Sequence, residues 1–200
     1  MKMLTNFRLN MLNREAASPR YKSPEIIKNM DIQKGDIIAD IGTGGGYFTF
    51  KFSIEVGIDG KVYALDTNQK SLDFVNNKSQ QEVFGNIKTV KVSENGIYLP
   101  EKVDTIFLRN VFHHLPQRDE YFKNIGKFLK KDGKIVVIDY KKKGFSFTGI
   151  FGHYTSEQNM MDIMERAGFF VGEKLDFLPE QSFIIFKKCK RVRQKSIHHF

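Results

Sequence analysis

The sequence predicts an α/β fold: seven strands in one mostly parallel sheet, with helices on both faces and an antiparallel strand at the C-terminus. Three observations support this fold class. Strand-like and helix-like segments alternate along the chain. The segment 135–139 is almost wholly apolar, as expected for a strand that is covered on both faces. A final pair of strand-like segments, joined through Pro179, forms a hairpin that adds the antiparallel strand.

The first third of the chain contains a helix that its periodicity does not favour. Residues 1–22 are expected to be helical and irregular, and Ser23 with Pro24 begins a short helix. Residues 37–41 form an apolar strand that leads into a run of glycines. Residues 47–56 alternate between apolar and polar side chains as a strand would, but a glycine-rich turn after a strand usually leads into a helix. We therefore predict a helix there.

The remaining elements follow from apolar patterns and capping residues. Asn68 caps a helix, and Pro116 begins an amphipathic helix that Asp132-Gly133 ends at Lys131. Thr155 and Gln158 have capping-box spacing at the start of the last helix, which ends at Gly168. The other predicted strands are residues 61–66, 86–92, 103–108, 170–177 and 182–187.

Length and composition limit the class of protein. The chain has 200 residues and 40% hydrophobic residues, which fits one globular domain with a single core. It has no apolar run of about 20 residues and no signal-peptide core, so we expect a cytoplasmic location. A single cysteine, Cys189, excludes an internal disulfide and a cysteine-based zinc site.

The net charge of +9 is concentrated near the C-terminus. The segment from Lys187 onward carries six Lys and Arg residues and no acid, which leaves +3 for residues 1–186. Such a tail is more often solvated than bound to a ligand, although basic arms do bind phosphates. Nucleic acid is therefore an open but unfavoured partner.

The strongest local signal is the segment 39–46, Ala-Asp-Ile-Gly-Thr-Gly-Gly-Gly. Gly42, Gly44 and Gly46 permit a tight turn with positive φ and a close approach of ligand to backbone. Asp40 precedes the turn, where it could bind a cationic amine or the water around it. Asp66 ends the next strand, where a carboxylate can bind both hydroxyls of a ribose. A tight turn without a ligand is the alternative for this segment.

The spacing of the glycines distinguishes between nucleotides. A dinucleotide fingerprint requires a third glycine where this chain has Tyr47, and no Gly-Lys-Ser/Thr triplet of a P-loop follows. The pattern suits a ligand that has no pyrophosphate and whose amino-acid end lies along the loop.

In these motifs the chain resembles the class I S-adenosylmethionine-dependent methyltransferases, from about Ser23 to Lys188. The resemblance rests on segments in the family's order: the glycine motif, Val62-Tyr63-Ala64-Leu65-Asp66, the run from Val103 to Leu115, and the run from Leu129 to Asp139. Within that superfamily, two segments resemble small stand-alone enzymes related to the quinone-biosynthesis type: His153-Tyr154-Thr155-Ser156 and Phe177-Leu178-Pro179-Glu180-Gln181-Ser182-Phe183. The resemblance implies a Rossmann-like fold and S-adenosylmethionine as cofactor.

The resemblance also implies roles for individual residues. Asp40, Gly42, Thr43, Gly44 and Gly46 would hold the methionine end of the cofactor, and Asp66 the ribose. Ser93 or Glu94, where the family commonly has Asp, would lie near the adenine. Arg109 and Asn110 would face the reactive end, although Arg109 could equally pair with a surface acid.

A general base is needed only if the acceptor arrives protonated, and the candidates are His113, His114 and His153. We favour His114 and His153 as residues that line the acceptor pocket, and helix-entry packing or capping for His113. Spacing gives no support for a metal site built from these residues and Asp139. Residues 140–154 are the expected specificity loop.

The predicted organisation is an N-terminal helical segment and lid (1–22), a cofactor-binding methyltransferase domain (23–188) and a basic tail (189–200). The predicted function is methyl transfer to a small molecule, in a pocket that is small or shared with a partner subunit, which leaves a homo-oligomer open. The alternatives are an RNA methyltransferase, a binding protein that keeps the cofactor but has lost catalysis, and, third, a nicotinamide-dependent reductase.

Overall fold

A computed structural model describes residues 2–93, 96–141 and 155–189 of the chain. Its seven strands form one sheet in the order β3-β2-β1-β4-β5-β7-β6, and only β7 runs antiparallel to its neighbours. The predicted architecture is therefore confirmed. The strands are β1 (Ile37–Ile41), β2 (Lys61–Asp66), β3 (Ile87–Lys91), β4 (Val103–Arg109), β5 (Leu129–Tyr140), β6 (Phe169–Leu175) and β7 (Gln181–Lys188).

Helices pack on both faces of the sheet. They are α1 (Lys2–Ala17), α2 (Ser23–Asn29), α3 (Tyr47–Val56), α4 (Gln69–Gln81), α5 (Arg118–Ile125) and α6 (Glu157–Arg166). Short 3₁₀ turns lie at Pro19–Tyr21, Phe112–His114 and Gly126–Phe128. Within the described residues, no helix has the length and apolar character that crossing a membrane requires.

The strand order determines where a ligand can bind. From β1 the chain continues to β2 and β3 on one side, and then returns to add β4 and β5 on the other side of β1. The loops that follow β1 and β4 consequently leave the sheet in opposite directions and open a crevice at their carboxyl ends. Both strands are almost completely buried, so the positions of these loops are set by the core.

The helix predicted over residues 47–56 is confirmed, despite its strand-like alternation. Phe48 and Phe52 pack on the sheet against Phe107, with ring centroids 5.1 and 5.0 Å away. Phe50 points sideways and packs against Phe84 at 5.4 Å. Because α3 is buried over a wide arc, its apolar side chains are not limited to the usual helical stripe. The alternation of apolar and polar residues therefore indicates a strand where the chain forms a helix.

The helix predicted over residues 116–131 is wrong in its second half. The α-helix ends at Ile125, a 3₁₀ turn follows, and Leu129 already belongs to β5, where it pairs with Val103. Asp132-Gly133 does not end a helix. A Cβ at Gly133 would lie 2.8 Å from the carbonyl oxygen of Asp104, so the glycine permits a close approach of two strands.

The start of the last helix also differs from the prediction. Ser156, not Thr155, caps α6, because its Oγ accepts a hydrogen bond of 3.2 Å from the amide of Asn159. Gln158 bonds Asp162 on the helix surface at 2.7 Å and takes no part in the cap. Gly168, with φ +91°, ends the helix as predicted. The last two strands each begin one residue earlier than predicted.

Candidate functional site

Two cavities adjoin at the carboxyl ends of the strands and share Gly42, Val111 and His114 as lining residues. One has a volume of about 420 Å³ and lies between the ends of β2 and β3 and the segment after β4. We call it the nucleoside cavity; it is lined by Ile41, Gly42, Asp66, Thr67, Val92, Ser93, Val111, His114, Leu115, Pro116 and Tyr121.

The second cavity has a volume of about 430 Å³ and lies between α1, the glycine loop and the ends of β4 and β5. We call it the acceptor cavity. Its lining includes the predicted residues Asp40, Thr43, Gly44, Arg109, Asn110 and His114, and side chains of α1 that the sequence analysis did not single out.

The glycine loop has the conformation that its sequence predicts. Gly42, Gly44 and Gly46 have φ of +76°, +54° and +82°. At Gly42 a Cβ would also lie only 2.4 Å from Cγ2 of Val111, in the segment after β4. Gly42 therefore lets two loops approach each other at the point where the two cavities meet.

Helix α1, part of the segment predicted as a lid, lies directly on this loop through a residue that the sequence analysis did not single out. Nδ2 of Asn13 donates to the carbonyl of Gly45 at 2.7 Å, and its Oδ1 accepts from the amide of Tyr47 at 3.1 Å. A Cβ at Gly45 would lie 2.5 Å from the carbonyl oxygen of Leu9. The third glycine of the run thus accommodates a helix from elsewhere in the chain.

Asp40 is a buried carboxylate beneath the loop. It accepts a hydrogen bond of 2.5 Å from the hydroxyl of Thr49, whose oxygen lies 2.6 Å from that of Thr43. Burial raises the pKa of Asp40 to about 6, and the hydrogen bonds from the two threonines oppose this rise. Asp40 is therefore a carboxylate whose ionised form a nearby cation would stabilise.

Asp66 lies at the end of β2, at the edge of the nucleoside cavity. Its two oxygens accept hydrogen bonds from the amides of Gly44, at 3.0 Å, and Asn68, at 2.8 Å. These bonds fix the carboxylate while each oxygen keeps capacity to accept another donor. Ser93 lines the same cavity, whereas Glu94 lies outside the described residues.

Arg109, at the end of β4, forms no ion pair with any described acid, so the surface pairing weighed as its alternative is not observed. Its guanidinium lies 4.8 Å from the ring of Tyr21 and 5.5 Å from that of Phe48. Its Nε is buried without a hydrogen-bond partner among the described residues. Burial lowers the pKa of Arg109, and the Coulombic attraction of Tyr140 and Glu15 opposes this change.

Asn110 joins β4 to two later strands. It has φ +56°, a conformation that asparagine tolerates better than most residues. Its Nδ2 donates to the hydroxyl of Tyr140 at 3.2 Å, and its Oδ1 accepts from Nε2 of the buried Gln181 at 2.5 Å. Asn110 is thus held at the acceptor cavity by side chains from β5 and β7.

The two adjacent histidines both line the acceptor cavity, with ring centroids 3.9 Å apart. The side chain of His113 is 5% exposed, and its Nδ1 lies 2.7 Å from Oδ1 of Asp139. His114 is exposed and faces both cavities. His153 and most of the predicted specificity loop lie outside the described residues. No described group of three His, Cys, Asp or Glu side chains is arranged to hold a metal ion.

Sequence reasoning missed Asn13, which lines the acceptor cavity, and two residues that contact its lining, Tyr21 at Arg109 and Gln181 at Asn110. Asn13 and Tyr21 carry no motif, and Gln181 lies in a segment for which the sequence predicted no role at the site. The contact between His113 and Asp139 did have a signal. Asp139 lies at the carboxyl end of β5 and His113 follows that of β4; the two strands pair in parallel, and such ends meet at one edge of a sheet.

Comparison with known proteins agrees with this geometry. A family model described as a methyltransferase domain matches residues 32–168. The demethylmenaquinone methyltransferase of Lactobacillus johnsonii is 27% identical over 119 residues, which cover 58% of this chain and 48% of that protein. The ubiquinone/menaquinone biosynthesis C-methyltransferase UbiE of Escherichia coli O1:K1 is 26% identical over 113 residues, 56% of this chain and 45% of that protein. The chain thus spans about half the length of these curated relatives.

Solved structures resemble the chain over more of its length. An S-adenosylmethionine-dependent methyltransferase from Aquifex aeolicus superimposes with a TM-score of 0.82 and 25% identity, covering 90% of this chain and 97% of the other. An O-methyltransferase of Brevibacillus brevis, solved with S-adenosylhomocysteine, has a TM-score of 0.64 and 15% identity, covering 77% of this chain and 67% of that one. The family model matches more than half of the chain, and the seven-stranded fold superimposes on that of the Aquifex enzyme. The chain therefore belongs to the class I S-adenosylmethionine-dependent methyltransferases.

Proposed function

We propose that this protein transfers the methyl group of S-adenosylmethionine to a small-molecule acceptor. The observation that carries the proposal is the pair of cavities that meet at Gly42, one beside the carboxylate of Asp66 and one beside Arg109 and the two histidines. A nucleoside in the first cavity would place its sulfonium end near the opening to the second. The nucleoside cavity, about 420 Å³, would take the nucleoside; the acceptor cavity, about 430 Å³, would take the methionine end beside Asp40 and Gly44 and a small acceptor beside Arg109.

The residues at the cleft fit the cofactor. The absence of side chains at Gly42 and Gly44 leaves bare backbone along which its methionine end can lie. Gly46, the third glycine predicted to hold the cofactor, lines neither cavity, and a Cβ there would lie 2.8 Å from Val75 and 2.9 Å from Phe50. Asp40 supplies a buried carboxylate for the ammonium group or its water, and Asp66 supplies oxygens for the ribose hydroxyls. Thr43 keeps Asp40 in place through Thr49. When bound, the cofactor supplies a methyl group already activated by a sulfonium.

The nucleoside cavity offers what an adenine requires. Its walls include Val92, Leu115, Pro116 and Tyr121, which present apolar surface to a flat ring. Ser93 offers a hydroxyl at the end of β3, and we keep Ser93 and Glu94 as alternatives for contact with the base. A dinucleotide would need room for a pyrophosphate beside Gly44 and Tyr47, where Asn13 instead holds the loop.

The acceptor cavity supports orientation of the substrate as the main catalytic contribution. Arg109 and Asn110 stand at its sheet side, and the side chains of Leu12, Asn13 and Glu15 close it from α1. Holding an acceptor in line with the methyl group is worth up to about 7–11 kcal/mol for a well-oriented pair. His114 and His153 stay our predictions for residues at the acceptor.

The proposal is tested by ligand-dependent stability and by product formation. S-adenosylhomocysteine should raise the melting temperature, since a ligand at about 100 times its Kd stabilises by about 2.7 kcal/mol, whereas NAD and NADP should not. Incubation with labelled S-adenosylmethionine and a cell extract should label a small metabolite. Stabilisation by NAD instead would contradict the proposal. Label in RNA, lost on deletion of residues 187–200, would favour the RNA alternative.

A cytoplasmic location, a homo-oligomer and the lid role of residues 1–22 stay predictions. The lid role gains support from the bonds between Asn13 and the glycine loop and from the α1 side chains at the acceptor cavity.

A further inference from the structure

Asp139 is fully buried at the end of β5, and both oxygens of its carboxylate contact the turn that follows β4. Oδ2 accepts the backbone amide of His113 at 2.9 Å, and Oδ1 lies 2.7 Å from Nδ1 of the same residue. Oδ1 also accepts the amide of Tyr140 at 2.8 Å. One carboxylate therefore fixes both the backbone and the ring of His113.

This contact determines which ring nitrogen carries the proton. An ionised carboxylate only accepts hydrogen bonds, so Nδ1 of a neutral His113 must be the donor. Nε2 then holds the lone pair, which is the form of imidazole that takes up a proton. The guanidinium of Arg118 donates to the carbonyls of His113, at 3.0 Å, and Leu115, at 3.3 Å, and so holds the turn from its other side.

His113 faces the acceptor cavity, which Arg109 also lines. The charged and titratable groups around it are Asp139 and Tyr140 on β5, His114 on its own turn, Arg118 on α5 and, in the cavity lining, Arg109 on β4, Glu15 on α1 and Asp40 on β1. The Nε of Arg109 is buried without a hydrogen-bond partner among the described residues. The guanidinium can therefore stabilise an acceptor oxygen that becomes an anion as its proton leaves.

We propose that His113 is the general base of the reaction, that Asp139 is its positioning residue, and that the protein methylates a hydroxyl oxygen. This inference rests on the proposed function and names its acceptor class. The acceptor O–H gives its proton to Nε2 of His113, and the oxygen forms a bond to the methyl carbon. The bond between that carbon and sulfur breaks, and its electron pair stays on sulfur as a neutral thioether. The imidazolium afterwards loses its proton to water.

A hydroxyl is the acceptor for which such a base matters most. An unionised hydroxyl is a weak nucleophile until its proton leaves, and general base catalysis contributes about 10²- to 10⁴-fold. A neutral amine attacks through a lone pair that it already has. A thiol ionises near neutral pH by itself, with an ordinary pKa of about 8.5.

The test compares three matched substitutions in the full-length protein. His113→Asn keeps an amide N–H that can donate to Asp139 but removes Nε2. Asp139→Asn keeps the size of the side chain but removes the charge that sets the tautomer. His114→Asn removes the neighbouring imidazole. Each variant is first measured for binding of S-adenosylhomocysteine and for its melting temperature, with His113→Gln as the replacement should His113→Asn fail to fold.

Methyl transfer is measured with methyl-¹³C S-adenosylmethionine and a metabolite extract, and the carbon shift of the new methyl group identifies the atom to which it is bound. We expect an O-methyl product, a loss of about 10²-fold or more in His113→Asn and in Asp139→Asn, and a smaller loss in His114→Asn. The rate of the wild type should rise with pH, as expected for general base catalysis, and His113→Asn should lack this rise. If Asp139 had only a structural role, the pH dependence of the rate in Asp139→Asn would match that of the wild type.

An independent readout uses no acceptor. Nitrogen-15 NMR of labelled histidine should show the Nδ1–H tautomer at His113 in the wild type and its loss in Asp139→Asn. Failure of the wild type to bind S-adenosylhomocysteine would overturn the proposed function and this inference together. If binding is normal, any of four results would overturn this inference alone. They are a C-methyl or S-methyl product, a His113→Asn variant as active as the wild type, a larger loss in His114→Asn than in His113→Asn, and an Nε2–H tautomer of His113. Normal binding of S-adenosylhomocysteine without any labelled metabolite would overturn the proposed function and this inference together.

Discussion

The two cavities are built in different ways, although they meet at one residue. In the nucleoside cavity, the carboxylate of Asp66 is fixed by backbone amides of two loops at the ends of β1 and β2, those of Gly44 and Asn68. The polar groups of the acceptor cavity come from elements that range from α1 to β5, and Asn110 bonds a glutamine 71 residues further along the chain. The carboxylate of the first cavity therefore depends on local backbone geometry, and the polar side chains of the second depend on the packing of the whole domain.

This difference teaches where substitutions should affect binding and where they should affect folding. A carboxylate such as Asp66 is held by amides of loops that adjoin the strands, so its substitution should mainly change ligand binding. Side chains such as Arg109 and Asn13 are placed by helix and strand packing, so their substitution should change the stability or mobility of the parts that meet there.

The largest effect is expected for Asp40→Asn, measured as the free energy of unfolding of the ligand-free protein. Burial raises the pKa of Asp40 to about 6, from an ordinary value of 3.8. Below about pH 4 the carboxyl is protonated in both folded and unfolded chains, and it carries no ionic penalty. Above about pH 6 the folded protein holds a desolvated charge, at a cost of about 3 kcal/mol for a shift of about two units.

Asp40→Asn should therefore be more stable than the wild type at pH 8 by up to about 3 kcal/mol, and the difference should vanish near pH 4. Urea unfolding at both pH values measures this. Asp104→Asn is the matched control, because Asp104 accepts from the amide of Ile37 and from Lys130 and should lose stability when replaced. A variant no more stable than the wild type at pH 8 would contradict the assigned burial cost.

The second effect concerns cofactor affinity. Asp66→Ala removes a carboxylate that positions Gly44 and that we expect to accept the ribose hydroxyls. Loss of charge-assisted hydrogen bonds of about 1.5–3 kcal/mol should weaken binding of S-adenosylhomocysteine about 10- to 100-fold, as calorimetry can measure. Asp59→Ala, at an exposed acid beyond the other end of β1, is the control. Unchanged affinity in Asp66→Ala would remove the ribose assignment.

A smaller effect is expected for Asn13→Ala, which removes both hydrogen bonds between α1 and the glycine loop. We expect a loss of about 1 kcal/mol in the free energy of unfolding and faster hydrogen exchange confined to α1. Arg8→Ala, at an exposed position of the same helix, should change neither. Equal exchange in the two variants would show that Asn13 does not hold the helix.

The smallest effect, and one of opposite sign, is expected for Arg109→Met in the ligand-free protein. Methionine fills a similar space beneath Tyr21 without a desolvated charge, so stability should rise by about 1 kcal/mol. Arg166→Met is the contrast, because Arg166 pairs with Asp119 on the surface and its loss should cost up to about 1 kcal/mol. A destabilised Arg109→Met would mean that its ring contacts outweigh the burial of its charge.

Much of the fold could be predicted because its signals are local. The glycine run identified α3 against its own periodicity, and Asn68 does cap α4, where it accepts the amide of Lys70 at 3.0 Å. The error at residues 126–134 has a tertiary cause. Leu129 fits an amphipathic helix and a buried strand equally well, and its pairing with Val103 decides between them.

By itself, the sequence determined the order of strands and helices, the glycine loop and the two carboxylates that flank it, because each depends on neighbours in the chain. Only the tertiary structure decided that Asn13 bonds Gly45, that the Nε of Arg109 is buried without a hydrogen-bond partner among the described residues, and that Asp139 holds His113. Those contacts join residues whose relation depends on how helices and strands pack, and no short-range pattern encodes a distance across the fold.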